Sequence, residues 1–313
     1  MKIVQNFSSK KHIKRLPLFD IMIWYVGLTH YKQLGYTTKL YCEKKDFPFL
    51  KKWGLYDLYD EIDTKFLPTL KDDQRFIKIN GTNFWSVRKL FCIENEFKVS
   101  KEPFIYSDTD IILIKKIYLP DEADILAWTV EHENIYIDWE NMSVPPDYIM
   151  PDFMKDVYEA FNCGLMWFKD YPRFNEYFNE YLKFTSLNPC ILADNVTEDA
   201  TTVKNIWACN AEQRILTAMA TKNDWNVILF MVKSDIGIDG FSPNGIHYYL
   251  LRGALRQTAG KNNGEFWLGF LSNQVKYLLD EIKETNIDLF NQFMVEKELS
   301  DLYNDDITLT HYI

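Results

Sequence analysis

Residues Phe104 to Ile114 read Phe-Ile-Tyr-Ser-Asp-Thr-Asp-Ile-Ile-Leu-Ile, an apolar, strand-forming run interrupted by two carboxylates one residue apart. Aromatic and β-branched residues favour a pleated, buried strand. Such a strand holds acidic side chains only if a cation or hydrogen bonds compensate for the lost water. If it ends at Ser107, Asp108 and Asp110 stand at its C-terminal mouth, where open α/β sheets bind ligands. Two ionised carboxylates in one place repel each other, and a divalent cation relieves that repulsion. The pattern reads as a metal site for a phosphate-bearing ligand. A bare Asp-x-Asp is expected about once by chance in a chain of this length, so the reading depends on what the rest of the sequence supplies.

The chain of 313 residues is long enough for one large domain or two small ones with a substantial core. It is 47% hydrophobic and 16% aromatic with only 12 Gly, which is the balance of a folded globular protein. A formal net charge of −10 counts against non-specific nucleic-acid binding, which needs a basic footprint. The local basic group Lys10, Lys11, Lys14 and Arg15 reads as a solvated helix start. Cys42, Cys92, Cys163, Cys190 and Cys209 are widely spaced and contain no Cys-x-x-Cys, so neither a zinc knuckle nor a dithiol motif is indicated. A reducing, cytoplasmic setting is the simplest expectation. No apolar run approaches the roughly 18 residues of a membrane span. The segment from Ile21 to Leu28 lacks a small-residue cleavage site and reads as a buried helix.

Along the chain, Met1 to Phe7 reads as a strand, followed by a long aromatic helix to about Leu34 with Gly35 at its end. Thr37 to Cys42 is a second strand, Asp46 to Trp53 a short helix, and Tyr56 to Phe66 a strand plus turn. Asn83 to Phe97 places Trp85, Leu90, Phe91 and Ile93 on one helical side, just before the central strand. This β-α-β-α-β rhythm over the first 115 residues predicts a parallel sheet with crossover helices. Further strands are expected at Ala123 to Val130, Phe161 to Lys169 and Trp225 to Val232, and helices at Tyr171 to Phe184 and Ala211 to Ala220. Long polar connections run from Glu131 to Asp152 and from Asn188 to Asn205. From Gly264 onward apolar residues fall at helical spacing, which predicts a C-terminal helix closing over the core.

No Gly-x-Gly-x-x-Gly, Gly-x-Ser-x-Gly, His-Glu-x-x-His or Walker-type loop occurs. Glu131-His132-Glu133 has no second His nearby and reads as a solvated loop, and the Asp57, Asp60, Asp63 series reads as a solvated helical face. Three later stretches have the chemistry that an Asp-x-Asp site needs. Asn162-Cys163-Gly164 lies inside an apolar strand, where Asn162 suits sugar hydroxyls and Gly164 allows close backbone approach, although taken alone the triplet reads first as a strand-end Asn with a bulge. Glu212-Gln213 opens a helix, where an acid is also ordinary dipole compensation. His247 follows Pro243-Asn244-Gly245-Ile246 and precedes Arg252; a neutral imidazole completes an oxygen-rich Mn²⁺ shell, although a lone His is usually structural.

Taken in this order, these stretches resemble the GT-A family of nucleotide-sugar glycosyltransferases, and most closely its retaining members, the glycogenin-like enzymes and bacterial lipopolysaccharide or capsule sugar transferases. The matching elements are the helix around Trp85 to Lys89, Pro103 to Asp110, Phe161 to Gly164, Glu212-Gln213, and His247 in a Gly-Ile-His turn. The resemblance covers about residues 1 to 257, and implies a catalytic domain there with a helical extension over 258 to 313. It implies an α/β fold with a mixed, mainly parallel sheet flanked by helices. Asp108, Asp110 and His247 would hold Mn²⁺ or Mg²⁺ on a diphosphate, while Asn162, Glu212 and Gln213 face the donor sugar. Lys89, Asp108, Gly164 and Arg252 would contact the donor. Arg252 departs from the family's usual Gly and Lys beyond the metal His, and Glu212 stands where many relatives have Asp.

The expected activity is transfer of a sugar from a nucleotide-diphosphate sugar, UDP-sugar first, to a saccharide or glycolipid acceptor. Retention of configuration and a place in cell-surface polysaccharide or glycoconjugate synthesis are implied by the resemblance, which also allows peripheral membrane association. The alternatives are a catalytically inactive carbohydrate- or protein-binding module on the same scaffold and a sugar nucleotidyltransferase. The second would need a Gly- and Arg-rich signature after the first strand, which the sequence lacks.

Overall fold

The computed structural model describes residues 1–7, 18–79, 85–100, 102–131, 149–155, 159–186, 210–231, 244–247, 264–295, 300 and 303, with the main chain alone at 85–86, 131, 210, 246–247 and 264–273. The first part runs β1 (Lys2–Asn6), α1 (Leu18–Gln33), β2 (Thr37–Tyr41), α2 (Phe47–Lys52), β3 (Glu61–Asp63), α3 (Phe66–Thr69), α4 (Gln74–Lys78), α5 (Trp85–Val99) and β4 (Phe104–Ser107). There follow β5 (Ile111–Leu113), β6 (Ile125–Ala127), β7 (Val130–Glu131), α6 (Asp152–Lys155), β8 (Ala160–Phe161), β9 (Leu165–Phe168) and α7 (Tyr171–Ser186). After a π turn over Asn210–Arg214 come α8 (Ile215–Lys222), β10 (Val227–Leu229), β11 (Gly245–His247), α9 (Gly264–Thr285) and α10 (Ile287–Met294).

Seven strands form the main sheet in the order β10-β6-β9-β4-β1-β2-β3. The neighbours β4-β1-β2-β3 are parallel, as are β10 and β6, and β9 alone runs against both of its neighbours. The fold is α/β with a mixed, mainly parallel sheet flanked by helices, consistent with the GT-A-like architecture expected from the sequence. Adjacent residues of its strands feed opposite cores, as the pleat requires. Val4, Phe104, Tyr106 and Ile125 join Leu90, Phe91, Phe174 and Phe178 of α5 and α7, whereas Ile3, Ile105 and Leu126 join Trp24, Tyr25 and Tyr31 of α1 and Leu278 and Ile282 of α9. Both faces are covered, which is why the strands β4, β6 and β9 read as continuous apolar runs.

The structure shortens several expected elements. The strand expected over Ala123–Val130 breaks at Trp128-Thr129, and the one over Phe161–Lys169 breaks at Asn162–Gly164. At that break the Trp128 N–H donates to the Asn162 carbonyl and the Asn162 N–H to the Thr129 carbonyl, so two residues face one and the ladder is offset. The strand expected over Trp225–Val232 is reduced to β10. The acids Asp57, Asp60 and Asp63 do not share a helix. Asp60 accepts from the Thr38 N–H of β2 at 2.8 Å, and Asp63 accepts from the Lys65 and Phe66 amides, local bonds that compete with helix formation. The Lys10–Arg15 group, residues 132–148 and 187–209, Cys190, Cys209 and Arg252 lie outside the described residues. Cys42, Cys92 and Cys163 are buried, and none of the three is joined in a disulfide among the described residues. Among the described residues no helix is long and apolar enough to cross a membrane.

Helix α1 is enclosed on all sides, with every residue from Ile21 to Thr29 buried. Gly27 is the point of closest approach: a Cβ there would stand 2.6 Å from the carbonyl oxygen of Ile111. Alanine favours a helix interior by about 1 kcal/mol over glycine, but overpacking against main chain costs about 1–3 kcal/mol. Gly27→Ala is therefore expected to lower stability by about 1–2 kcal/mol. A urea midpoint equal to or above that of the native protein would contradict this close approach.

Candidate active site

The expected site begins where β4 ends. Strand β4 delivers Ser107 as its last residue, so Asp108-Thr109-Asp110 forms the turn into β5 at the sheet's C-terminal mouth. The reversed strand β9 starts at this same end. Its register sets Leu165 opposite Ser107, and the Asp108 N–H donates to the Gly164 carbonyl at 2.7 Å. The main chain thereby clamps the first aspartate to the Asn162–Gly164 turn. That turn is closed by Asn162, whose side-chain oxygen accepts from the Gly164 N–H at 2.8 Å.

Lys89 of α5 occupies the centre. Its ammonium lies 3.2 Å from Asp108 Oδ2 and 2.7 Å from Glu212 Oε1, and donates to the Cys163 carbonyl at 3.0 Å. The ring of Tyr106 lies 5.3 Å from it on the strand side. Lys89 is 2% exposed and Glu212 1%. Burial opposes the lysine's charge, but the Asp108 and Glu212 carboxylates outweigh it and hold the ammonium charged well above the ordinary lysine range. Glu212 behaves in the opposite sense. Burial and, more weakly, the Asp108 charge raise its carboxyl to about 7, against the pull of Lys89. The centre thus holds one firmly charged cation between the Asp108 carboxylate and the reluctant carboxyl of Glu212.

Glu212 reaches Lys89 because the helix opens with a π turn. The extra residue per turn re-aims side chains, and such turns concentrate at functional positions. The phenol of Tyr177 on α7 donates to the Glu212 carbonyl at 3.0 Å, which fixes that turn. Gln213 is buried beside it, and its carbonyl accepts from Thr217, whose oxygen in turn accepts from the Phe161 N–H of β8. The acid-Gln pair is thus tied to the strand segment that carries Asn162.

The ribbon of β11 on β5 brings in the remaining expected residue. Its antiparallel register sets His247 opposite Ile111, the residue after Asp110. The His247 main chain therefore lies against the end of the Asp-Thr-Asp turn. Lys89, Asp108, Gly164 and Glu212 are brought together, Asn162 and Gln213 flank them, and His247 arrives beside Asp110 by main-chain register. Among the described residues no group of three or more His, Cys, Asp and Glu side chains is placed to hold a metal. The donor set of Asp108 and Asp110, two hard carboxylates, suits an oxygen-seeking cation such as Mn²⁺ or Mg²⁺.

Sequence reasoning missed several residues of this region. Tyr31 and Gln5 hold the main chain of the turn from below, but in sequence Tyr31 reads only as part of an aromatic helix and Gln5 only as the strand end entering a loop. Thr129 is 3% exposed, and its hydroxyl finds no partner among the described residues, although its carbonyl bonds Asn162. No local motif signals any of them.

In overall structure the chain is similar to the PaToxG glycosyltransferase, at 13% identity and a TM-score of 0.41 over 71% of this chain and 69% of that one. It is also similar to mouse xyloside xylosyltransferase 1 in its apo form, at 13% identity and a TM-score of 0.39 over 73% of this chain and 84% of that one. No family model and no curated protein sequence matches the chain.

Proposed function

We propose that the protein is a glycosyltransferase that moves a sugar from a nucleoside-diphosphate sugar, with UDP as the first candidate, to a saccharide or glycolipid acceptor. The observation that carries this reading is the convergence of Lys89, Asp108, the Asn162–Gly164 turn and Glu212 on one end of β4, with β11 bringing the His247 main chain to Ile111. The signals are individually weak in sequence; the fold puts them in one place. The reading extends to transfer with retention, in the synthesis of cell-surface polysaccharide or glycoconjugate from the cytoplasmic side.

Asp108, Asp110 and His247 would hold Mn²⁺ or Mg²⁺, which when bound supplies Lewis-acid neutralisation of the departing diphosphate. Arg252 would add charge-assisted hydrogen bonds to the same oxygens. Asn162 and Gln213 would orient the sugar hydroxyls, and Glu212, held by Lys89, would place negative charge near the electron-poor anomeric carbon. The amide of Gln213 is a poor nucleophile, so the reading favours direct attack by the acceptor on the face the diphosphate leaves. The acceptor oxygen bonds the anomeric carbon, the bond from that carbon to the diphosphate oxygen breaks, and the acceptor's proton passes to the released diphosphate.

A thermal-shift and hydrolysis panel of UDP- and GDP-sugars, with and without Mn²⁺, tests the reading. Ligand at about 100 times its Kd adds about 2.7 kcal/mol of apparent stability, so one donor is expected to raise Tm only when Mn²⁺ is present. Asp110→Ala is expected to abolish that shift and leave the ligand-free Tm within a degree or two, since loss of one acid from an acidic turn relieves repulsion. Unchanged donor affinity in Asp110→Ala would refute the site.

A further inference from the structure

The Asp108-Thr109-Asp110 turn is held from beneath by two buried sets of hydrogen bonds that the reaction itself does not use. The first begins at the indole of Trp24 on α1, which can only donate. Its N–H lies 2.7 Å from the Tyr59 oxygen, the Tyr59 hydroxyl donates to Gln5 Oε1 at 2.5 Å, and Gln5 Nε2 donates to the Asp108 carbonyl at 3.1 Å. The same indole N–H also lies 3.2 Å from Gln5 Oε1. Because Trp24 has no acceptor, the polarity of the series is fixed along its length. The Gln5 amide has its oxygen committed to Tyr59 and Trp24, so its NH₂ group has one orientation, toward the aspartate's main chain. Gln5 and Trp24 are each 1% exposed, so water does not compete for these bonds.

The second set is centred on Tyr31, one helical turn beyond Gly27 on the same side of α1. Its hydroxyl donates to the Ile111 carbonyl at 2.7 Å and lies 2.8 Å from Ser107 Oγ, which itself donates to the Asp108 carbonyl at 3.0 Å. Tyr31 and Ser107 are both fully buried. The close approach that Gly27 permits brings this phenol within reach of Ile111. The two sets meet at the Asp108 carbonyl, and Tyr31 also holds the turn's far end at the Ile111 carbonyl.

We propose that Tyr31 and the Trp24–Tyr59–Gln5 series are positioning residues that fix the main chain of Asp108–Ile111 and so set the geometry in which Asp108 and Asp110 meet a divalent cation. The inference rests on the reading of these carboxylates as metal ligands. Residues behind metal ligands typically contribute about 10–100-fold to affinity. Tyr31→Phe and Tyr59→Phe each remove one oxygen and conserve the ring. Tyr41→Phe, which removes a buried phenol bonded to Glu96 at the edge of α5, is the control.

The experiment measures Mn²⁺ binding to the full chain by electron paramagnetic resonance, together with hydrogen exchange over residues 107–113 in metal-free protein. Tyr31→Phe and Tyr59→Phe are expected to weaken Mn²⁺ binding by about tenfold and to speed exchange in that peptide, whereas Tyr41→Phe does neither even where it lowers Tm as much. Native-like Mn²⁺ affinity in both variants overturns the proposal. If the native protein itself binds no Mn²⁺, the metal reading fails. The exchange data then decide the brace alone, and unaltered exchange in both variants overturns it.

Discussion

Replacing Lys89 with methionine is expected to destabilise the protein by about 3–5 kcal/mol, the cost of removing one partner from a buried ion cluster. Methionine matches the lysine stem in length and leaves little cavity, so the loss is electrostatic. Glu212, 1% exposed, would be left without its cation, and the Cys163 carbonyl without its donor. The penalty should depend on pH. The Glu212 carboxyl is already raised from 4.5 to about 7, chiefly by burial, and loss of Lys89 removes the charge that holds it down. In the variant Glu212 keeps its proton to a still higher pH, at little cost near pH 5 but at a growing cost toward pH 8, where the unfolded chain has long released it. The destabilisation is therefore expected to be small near pH 5 and largest above pH 8. In the native protein the same raised carboxyl contributes stability that is full below pH 4.5 and is lost as pH rises through about 7. Urea unfolding of Lys89→Met at pH 5 and pH 8 measures this. The double variant with Glu212→Gln should recover most of the stability at pH 8; no recovery would mean that the pair does not carry the effect.

A second large effect is expected two turns further along α5. Glu96 is fully buried, with Lys39 2.8 Å and Lys2 3.0 Å away and the Tyr41 hydroxyl donating to it at 2.5 Å. Burial works against its charge, but the bonds from Lys39, Tyr41 and Lys2 prevail and hold the carboxyl below its ordinary 4.5. Glu96→Leu leaves the buried Lys39 with Glu61 alone and strands the Tyr41 hydroxyl on Asn95, for an expected loss of about 3–5 kcal/mol. Because the folded value is depressed, this contribution is present above pH 4.5 and disappears as pH falls through the lower folded value. The gap between native and variant urea midpoints should accordingly be wide at pH 7 and close on acidification below pH 4. A gap that stays constant to pH 3 would show that the loss comes from packing.

Much of this arrangement is legible in the sequence. The apolar runs locate β4 and β9 because strands buried on both faces carry few polar residues, and Gly35 and Gly54 mark the chain reversals they occupy at positive φ. Asp108 is legible because a carboxylate at the end of such a run needs a partner. Its actual partner, Lys89, lies in the preceding helix and was assigned to the ligand, because sequence spacing does not reveal which buried charge neutralises which. Glu212 was legible as an acid in a first helical turn, but the π turn that aims it inward has no compositional mark. The Trp24–Tyr59–Gln5 series was not legible, since aromatic residues in a core helix advertise packing and their polar ends find partners only in three dimensions. The break at Asn162 is legible as a strand-end Asn with a bulge, but its pairing with Trp128 and Thr129 is not, because those residues come from a different strand.

The reversed strand β9 has a consequence for how the chain assembles. It lies between β4 and β6, yet follows both in sequence. A sheet growing from β1 outward reaches β4 and must stop there, with β6 already synthesised and unable to dock. Only through β9 do β6 and β10 join the near half, so completion of the sheet is a long-range pairing event. The Asp108–Gly164 clamp and the Lys89–Cys163 bond form in that event, and the site is absent from any intermediate that precedes it.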